Sequence, residues 1–200
     1  MISRLLLSLF LVLLSMPIWA ADIPRYYDTV QSDYDTSWYL GASLGSFTYH
    51  QSNLTDFSLS DRRLIIGKQL NQVFALEMHV GNSGSGTQTV SGVPVTLSVD
   101  NYVSGFLKVN ATFADEDWNY NRLRLFAMLG GTRLQSTSTD PVATSSGTQS
   151  SVSAGVGAEF FFDNIGIQLG YTRYVNGSAN NNDYSLDSMY LGVIYQFASK

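Results

Sequence analysis

Cysteine is absent from all 200 residues. That excludes a disulfide framework, thiolate chemistry and a lipid anchor on an N-terminal cysteine. Histidine occurs only twice, as His50 and His79, too few without cysteine to build a metal constellation. Charge is scarce, with Asp, Glu, Lys and Arg making 14% of the chain, and acids outnumber bases 16 to 11. No basic cluster offsets that balance, which argues against nucleic acid as a partner. Beyond residue 20 no apolar run approaches the about 18 residues of a membrane-spanning helix.

What is present begins with an export signal. Arg4 is followed by the apolar run Leu5 to Leu14 and by Pro17-Ile18-Trp19-Ala20-Ala21, the three regions of a secretory leader. Cleavage is expected after Ala20, with Ala21 the alternative. Losing Arg4 takes the basic residues from 11 to 10 against 16 acids, a net of −6. Residues 21–36 are expected to form a polar periplasmic tail, 37–197 the folded domain and 198–200 a short C-terminal tail.

The folded part reads in twos, the period of a strand with unlike faces. In Leu186 to Phe197, the residues Met189, Leu191, Val193, Tyr195 and Phe197 share one face, against Ser188, Tyr190, Gly192, Ile194 and Gln196. The same alternation predicts seven more strands: Ser37–Tyr49, Asp61–Leu70, Val73–Asn82, Val95 to about Thr112, Tyr120–Gln135, Ser151–Phe162 and Ile165–Val175. In the fourth, Val99, Val103, Leu107 and Val109 are expected on the apolar face. Tight turns fall at Asn71-Gln72 and Asp163-Asn164. Polar loops are expected at 50–60, from 83 to about 94, at 136–150 and at 176–185. An exported chain with apolar strand faces and no spanning helix can cross a membrane only as a closed barrel. The expected fold is therefore all-β, an eight-stranded antiparallel up-and-down transmembrane β-barrel with short periplasmic turns and long extracellular loops. A water-soluble lipocalin-like barrel is the alternative. It would turn the apolar face inward and leave Glu77, Arg124 and Glu159 outside.

Several stretches resemble a known family. Gly67-Lys68-Gln69-Leu70-Asn71, Leu76-Glu77, Gly155-Val156-Gly157-Ala158-Glu159-Phe160 and the closing strand are similar to the small outer-membrane β-barrels typified by the OmpA transmembrane domain and OmpX, a porin-family group. The spacing Tyr190, Gly192, Tyr195, Phe197 resembles the C-terminal assembly signal of such barrels. The resemblance implies a Gram-negative outer-membrane location and contact with lipid, lipopolysaccharide and the assembly machinery. A monomer is expected, with a host or cell-surface ligand reached through the loops.

The inward charges Glu77, Arg124 and Glu159 are the first candidate site, since charge inside so narrow a lumen must be paired or hydrated. A salt-bridge plug is the expected role; two carboxylates poised for acid–base work would need a substrate path that an eight-stranded lumen hardly leaves. His50-Gln51-Ser52-Asn53 resembles the H-x-S-N signature of outer-membrane lipid A deacylases. That would make His50 the base and Ser52 the nucleophile, with Leu64 where the orienting glutamate is expected and Asp56 or Asp61 as substitutes. His79 is expected to be a lumen hydrogen-bonding residue. Asn180-Asn181-Asn182-Asp183 with Asp187 offers oxygens without the spacing of a calcium loop, and Asp115-Glu116-Asp117 reads as a solvated turn. No cofactor and no metal are expected. The sequence-level reading is a non-enzymatic barrel with a structural or surface-interaction role, its alternatives a narrow small-solute channel and an esterase using His50 and Ser52.

Overall fold

The structure, a computed structural model, describes residues 36–52, 56–114, 121–179 and 182–197. The expected leader, most of the tail before the barrel, the Asp115-Glu116-Asp117 run, Asn53, Asn180-Asn181 and residues 198–200 lie outside the described residues. Nine strands run through the rest: β1 (Trp38–Gln51), β2 (Phe57–Gln69), β3 (Phe74–Ser83), β4 (Ser85–Val90), β5 (Val93–Ala114), β6 (Arg122–Thr139), β7 (Thr144–Phe162), β8 (Ile165–Ala179) and β9 (Asn182–Gln196).

All pairings are antiparallel, and the sheet closes on itself because β3 pairs with β5 while β1 pairs with both β2 and β9. Only Gly84 separates β3 from β4, and both run along β5, so they share one position in the wall. The result is an eight-stranded barrel. Closure removes the unpaired strand edges that hydrocarbon does not tolerate. At the short-turn end the two ends of the wall are tied together, Phe197 donating its amide to the Trp38 carbonyl at 2.8 Å. There the Asn71 side chain accepts from the amides of Val73 (2.9 Å) and Phe74 (2.8 Å), an Asx turn that fixes the β2–β3 hairpin. Asp163 takes a positive φ of 56° in the β7–β8 turn, a conformation Asp tolerates.

At the opposite end the strands reach further than alternation predicts. The segment expected as a loop from 83 to about 94 is β4 plus a two-residue turn, Ser91-Gly92, with φ of 51° and 83°. Such a turn matches the twist of a hairpin. The Ser/Thr-rich stretch 136–150 is likewise ladder, turning only at residues 140–143, where Asp140 caps the amides of Val142 (2.8 Å) and Ala143 (2.7 Å). The 50–60 and 176–185 loops shrink too, since β2 begins at Phe57, β8 runs to Ala179 and β9 begins at Asn182. Backbone pairing holds these segments, and serine and threonine accept it, so hydrophobic alternation has no reason to mark them.

Within the membrane-crossing part the faces follow the expected parity. Leu44, Leu169 and Leu191 lie side by side across β1, β9 and β8 and point outward, Leu44 being 67% exposed. Lys68 also points outward, its ammonium 5.5 Å from the Trp38 ring centre. One expectation fails. Val99 is not on the outer face but inside, 2% exposed, because the β5–β6 register slips between Val99 and Asn101. Asp100 is the extra residue of a β-bulge, and one extra residue reverses the parity of everything beyond it. A second slip, between Arg173 and Val175, turns both Tyr174 and Val175 inward.

Large lumen side chains need small neighbours. The Tyr39 ring covers Gly67, and the Tyr190 ring covers Gly170. Gly130 is tighter still, because a Cβ there would run into the backbone carbonyl of Gly105, which cannot swing aside. Gly130→Ala is expected to cost about 1–3 kcal/mol in urea unfolding from phosphatidylcholine vesicles. Gly105→Ala, whose Cβ would meet nothing within 4 Å, is expected to stay within about 0.5 kcal/mol of the parent.

Candidate functional site

The lumen is filled by a continuous set of bonded side chains. Each comes from an inward position of its strand, and barrel closure brings strands distant in sequence face to face. Nearest the outer end, the rings of Phe47, Tyr102 and Tyr174 form an aromatic layer. Phe47 lies 5.5 Å from Tyr102 and 5.7 Å from Tyr174, and the two tyrosines lie 5.1 Å apart, centre to centre. These tilted and edge-on contacts suit aromatic packing.

Below that layer sits a first charge cluster. The Arg63 guanidinium donates to Asp61, Ser188 and the Tyr174 hydroxyl, and its carbon lies 3.9 Å from the Tyr190 ring centre. Asp61 also accepts from the Tyr102 hydroxyl at 2.9 Å and from Ser188 at 2.7 Å. Histidine 79 links this cluster to the next. Its Nδ1 lies 2.8 Å from the Tyr174 hydroxyl and its Nε2 2.7 Å from Glu77 Oε1. Both ring nitrogens are thereby occupied within the protein.

The lower cluster contains all three charges singled out from sequence, and a fourth that was not. Arg124 Nη1 lies 3.3 Å from Glu159 Oε2. Glu77 does not reach either of them; Lys108 stands between. Its ammonium donates to Glu77 Oε2 at 2.7 Å and to Glu159 Oε1. Tyr39 donates to Glu77 at 2.7 Å and Gln168 to Glu159 at 3.0 Å. Two carboxylates thus face two cations, and each upper and lower cluster balances its own charge, the condition under which buried ions persist. Towards the short-turn end, Arg122 donates to Gln196 (2.9 Å) and Gln196 to Ser37 (2.7 Å). The inward parity of Lys108, Asp61 and Arg63 was readable, but which inward residues meet is set by closure.

The rim places the second candidate. His50 Nδ1 lies 2.8 Å from Asp56, and its Nε2 lies 3.8 Å from Asp187, which is itself held by Arg173 at 2.6 Å. Asp56, one of the two expected substitutes for the missing glutamate, is the residue next to His50; Asp61 is engaged deep in the lumen. Leu64 points into the lipid-facing band. Of the closing-strand residues, Tyr190 and Gly192 face the lumen, whereas Tyr195 and Phe197 face outward with ring centres 5.0 Å apart. Among the described residues no group of three or more His, Cys, Asp or Glu side chains is placed to hold a metal ion.

Comparison with known proteins decides the family. The model of the outer membrane protein beta-barrel domain matches residues 6–197. The chain belongs to that family. It is an integral protein of the bacterial outer membrane. Solved structures with the same fold include Ail, the attachment invasion locus protein of Yersinia pestis, at 13% identity and a TM-score of 0.55, covering 82% of this chain and 99% of that one. Neisserial surface protein A is similar at 18% identity and a TM-score of 0.54, covering 80% and 97%. OprG from Pseudomonas aeruginosa is similar at 8% identity and a TM-score of 0.56, covering 84% and 99%. No curated protein matches the chain. At such identities the likeness is one of fold, in keeping with the lipid-facing and lumen-facing alternation of such barrels.

Proposed function

We propose that this family member is a non-enzymatic barrel with a closed lumen, acting at the cell surface through its outer end. The observation that carries this reading is Lys108 bonded to both Glu77 and Glu159 beneath a layer of aromatic rings. A diffusing solute would have to break charge pairs held in a low-dielectric interior, and neither carboxylate is free to act as acid or base. At the outer rim, a structural role for His50 is supported by its ring nitrogens lying 2.8 Å from Asp56 and 3.8 Å from Asp187. Tyr195 and Phe197 support recognition of the last strand by the assembly machinery, since their rings stand together on the outer wall.

Two measurements test the reading. Mature protein in planar lipid bilayers is expected to give no sustained single-channel conductance; steady openings would establish the channel instead. Lipid A mass spectra from outer membranes with and without the protein are expected to coincide, and His50→Ala and Ser52→Ala to change nothing. Loss of an acyl chain that either substitution abolishes would make the rim an active site.

A further inference from the structure

The outer end of the barrel reverses the polarity of the part below it. Between Val103 and Val109 on β5 the aliphatic side chains face outward, and Ser104, Phe106 and Lys108 face in. Above the Asp100 bulge the faces exchange: Val95, Leu97 and Val99 turn towards the barrel axis, while Ser98 and Asp100 turn out and bond each other at 3.1 Å. Opposite them, Leu134, Val175 and Leu186 also face in and are buried. Together they line an open cavity of about 360 Å3. That lies within the about 300–1,000 Å3 of small-molecule sites.

The cavity has a floor and a rim of different chemistry. Val99, Leu134, Val175 and Leu186 form the floor over the aromatic layer of Phe47, Tyr102 and Tyr174. Higher up, along the outward course of β1, β6 and β7, the lining carries the polar side chains of Gln51, Ser136, Ser138 and Gln149. Among the described residues no charged side chain lines it. The Tyr49 hydroxyl at the rim donates to Gln51 at 3.1 Å. An apolar concavity facing water at the end of a membrane barrel serves no lipid contact, and exposed apolar surface of this kind marks binding.

The wall beside it is closed unusually. The β7–β8 ladder stops at the pair Ala154 and Arg173, although both strands continue outward. Beyond that point the seam is bridged through side chains: Ser153 donates to the Tyr174 carbonyl (2.8 Å) and the Asn176 amide to Ser151 (3.3 Å), while Gln149 reaches past β8 to donate to Tyr184 on β9 (2.5 Å). Here the rim can part without breaking a backbone ladder.

We propose that this cup binds an uncharged aliphatic ligand, its chain on the valine and leucine floor and a hydroxyl or amide head among Gln51, Ser136, Ser138 and Gln149. The inference rests on the closed-lumen reading, because a sealed floor makes the cup a binding site and not the mouth of a conduit. An uncharged head meets hydrogen-bonding groups and no counter-ion, and an ionised head would be desolvated there without a partner.

The probe that tests this is dodecanol carrying a photoreactive diazirine, added to the mature protein in phosphatidylcholine nanodiscs. Illumination is expected to label peptides containing Val95–Val99 and Leu134–Ser138, in addition to the lipid-facing band. Unlabelled dodecanol is expected to compete for the first set. Leu97→Trp, which fills the cup and leaves its floor intact, is expected to cut that labelling about tenfold while labelling around Leu191 and Val193 persists. Folding is checked by the shift in gel mobility on heating, and Val95→Trp replaces Leu97→Trp if the latter does not fold. Labelling confined to the lipid-facing band, or cup labelling indifferent to both tryptophans, overturns the proposal. Either result in a barrel that passes no current removes the ligand and leaves the closed lumen standing; sustained conductance removes the closed lumen itself.

Discussion

Lys108→Met is expected to destabilise the folded barrel by about 3–5 kcal/mol, the cost of leaving buried charge without its partner. In the native lumen, Lys108 is the group that keeps Glu77 and Glu159 apart as paired ions. Remove the ammonium and Glu77 retains only the neutral donors Tyr39 and His79, while Glu159 retains Arg124 and Gln168. Met keeps most of the volume, so the loss is electrostatic and not a cavity. The measurement is urea unfolding from phosphatidylcholine vesicles, followed by tryptophan fluorescence and gel mobility. A second substitution separates the causes: adding Glu77→Gln to Lys108→Met removes the orphaned charge and is expected to recover part of the stability. A loss below about 1 kcal/mol for Lys108→Met, the scale of an exposed pair, would mean that water reaches the cluster and that the lumen is open.

Leu191→Arg is the second large effect, expected at about 2–4 kcal/mol by the same assay. Leu191 stands in an outward row with Leu44 and Leu169, inside the apolar outward band of three neighbouring strands, where a guanidinium would sit in hydrocarbon. The opposite substitution distinguishes membrane depth from general intolerance. Thr148 faces outward on β7 beyond the lipid-facing band, paired with Gln135, and Thr148→Arg is expected to stay within about 0.5 kcal/mol of the parent. Equal effects at the two positions would contradict the placement of the membrane boundary. A neutral Leu191→Arg would contradict the lipid-facing assignment of the whole row.

Much of this architecture was legible because a barrel wall has a simple rule. From Val152 to Phe160 the apolar residues at alternate positions face lipid while Ser153, Gly155, Gly157 and Glu159 face the lumen, so parity alone orients Glu159. The same counting orients Glu77, Arg124, Arg63 and His79. It could not say that Glu77 meets Arg124 only through Lys108, since that follows from β3 closing on β5, a pairing far apart in sequence. Nor could it orient Val99. Parity is a local count, and one bulged residue at Asp100 resets it, Val99 and Asn101 pairing with the successive β6 residues Ser136 and Gln135. The outer hairpins escaped for a different reason: with serine and threonine on their outward faces, little contrast remains to count.

The sequence by itself determined that the chain is exported, that it spans a membrane with strands and not helices, and which residues of the crossing part face lipid. Those properties depend on composition and on neighbours two residues apart. Only the tertiary structure decided which lumen charges neutralise one another, where the strands end and how the outer mouth inverts its polarity. Those depend on register between strands, and register is settled by closure of the whole ring, where every backbone group needs a partner and every buried charge a counter-charge.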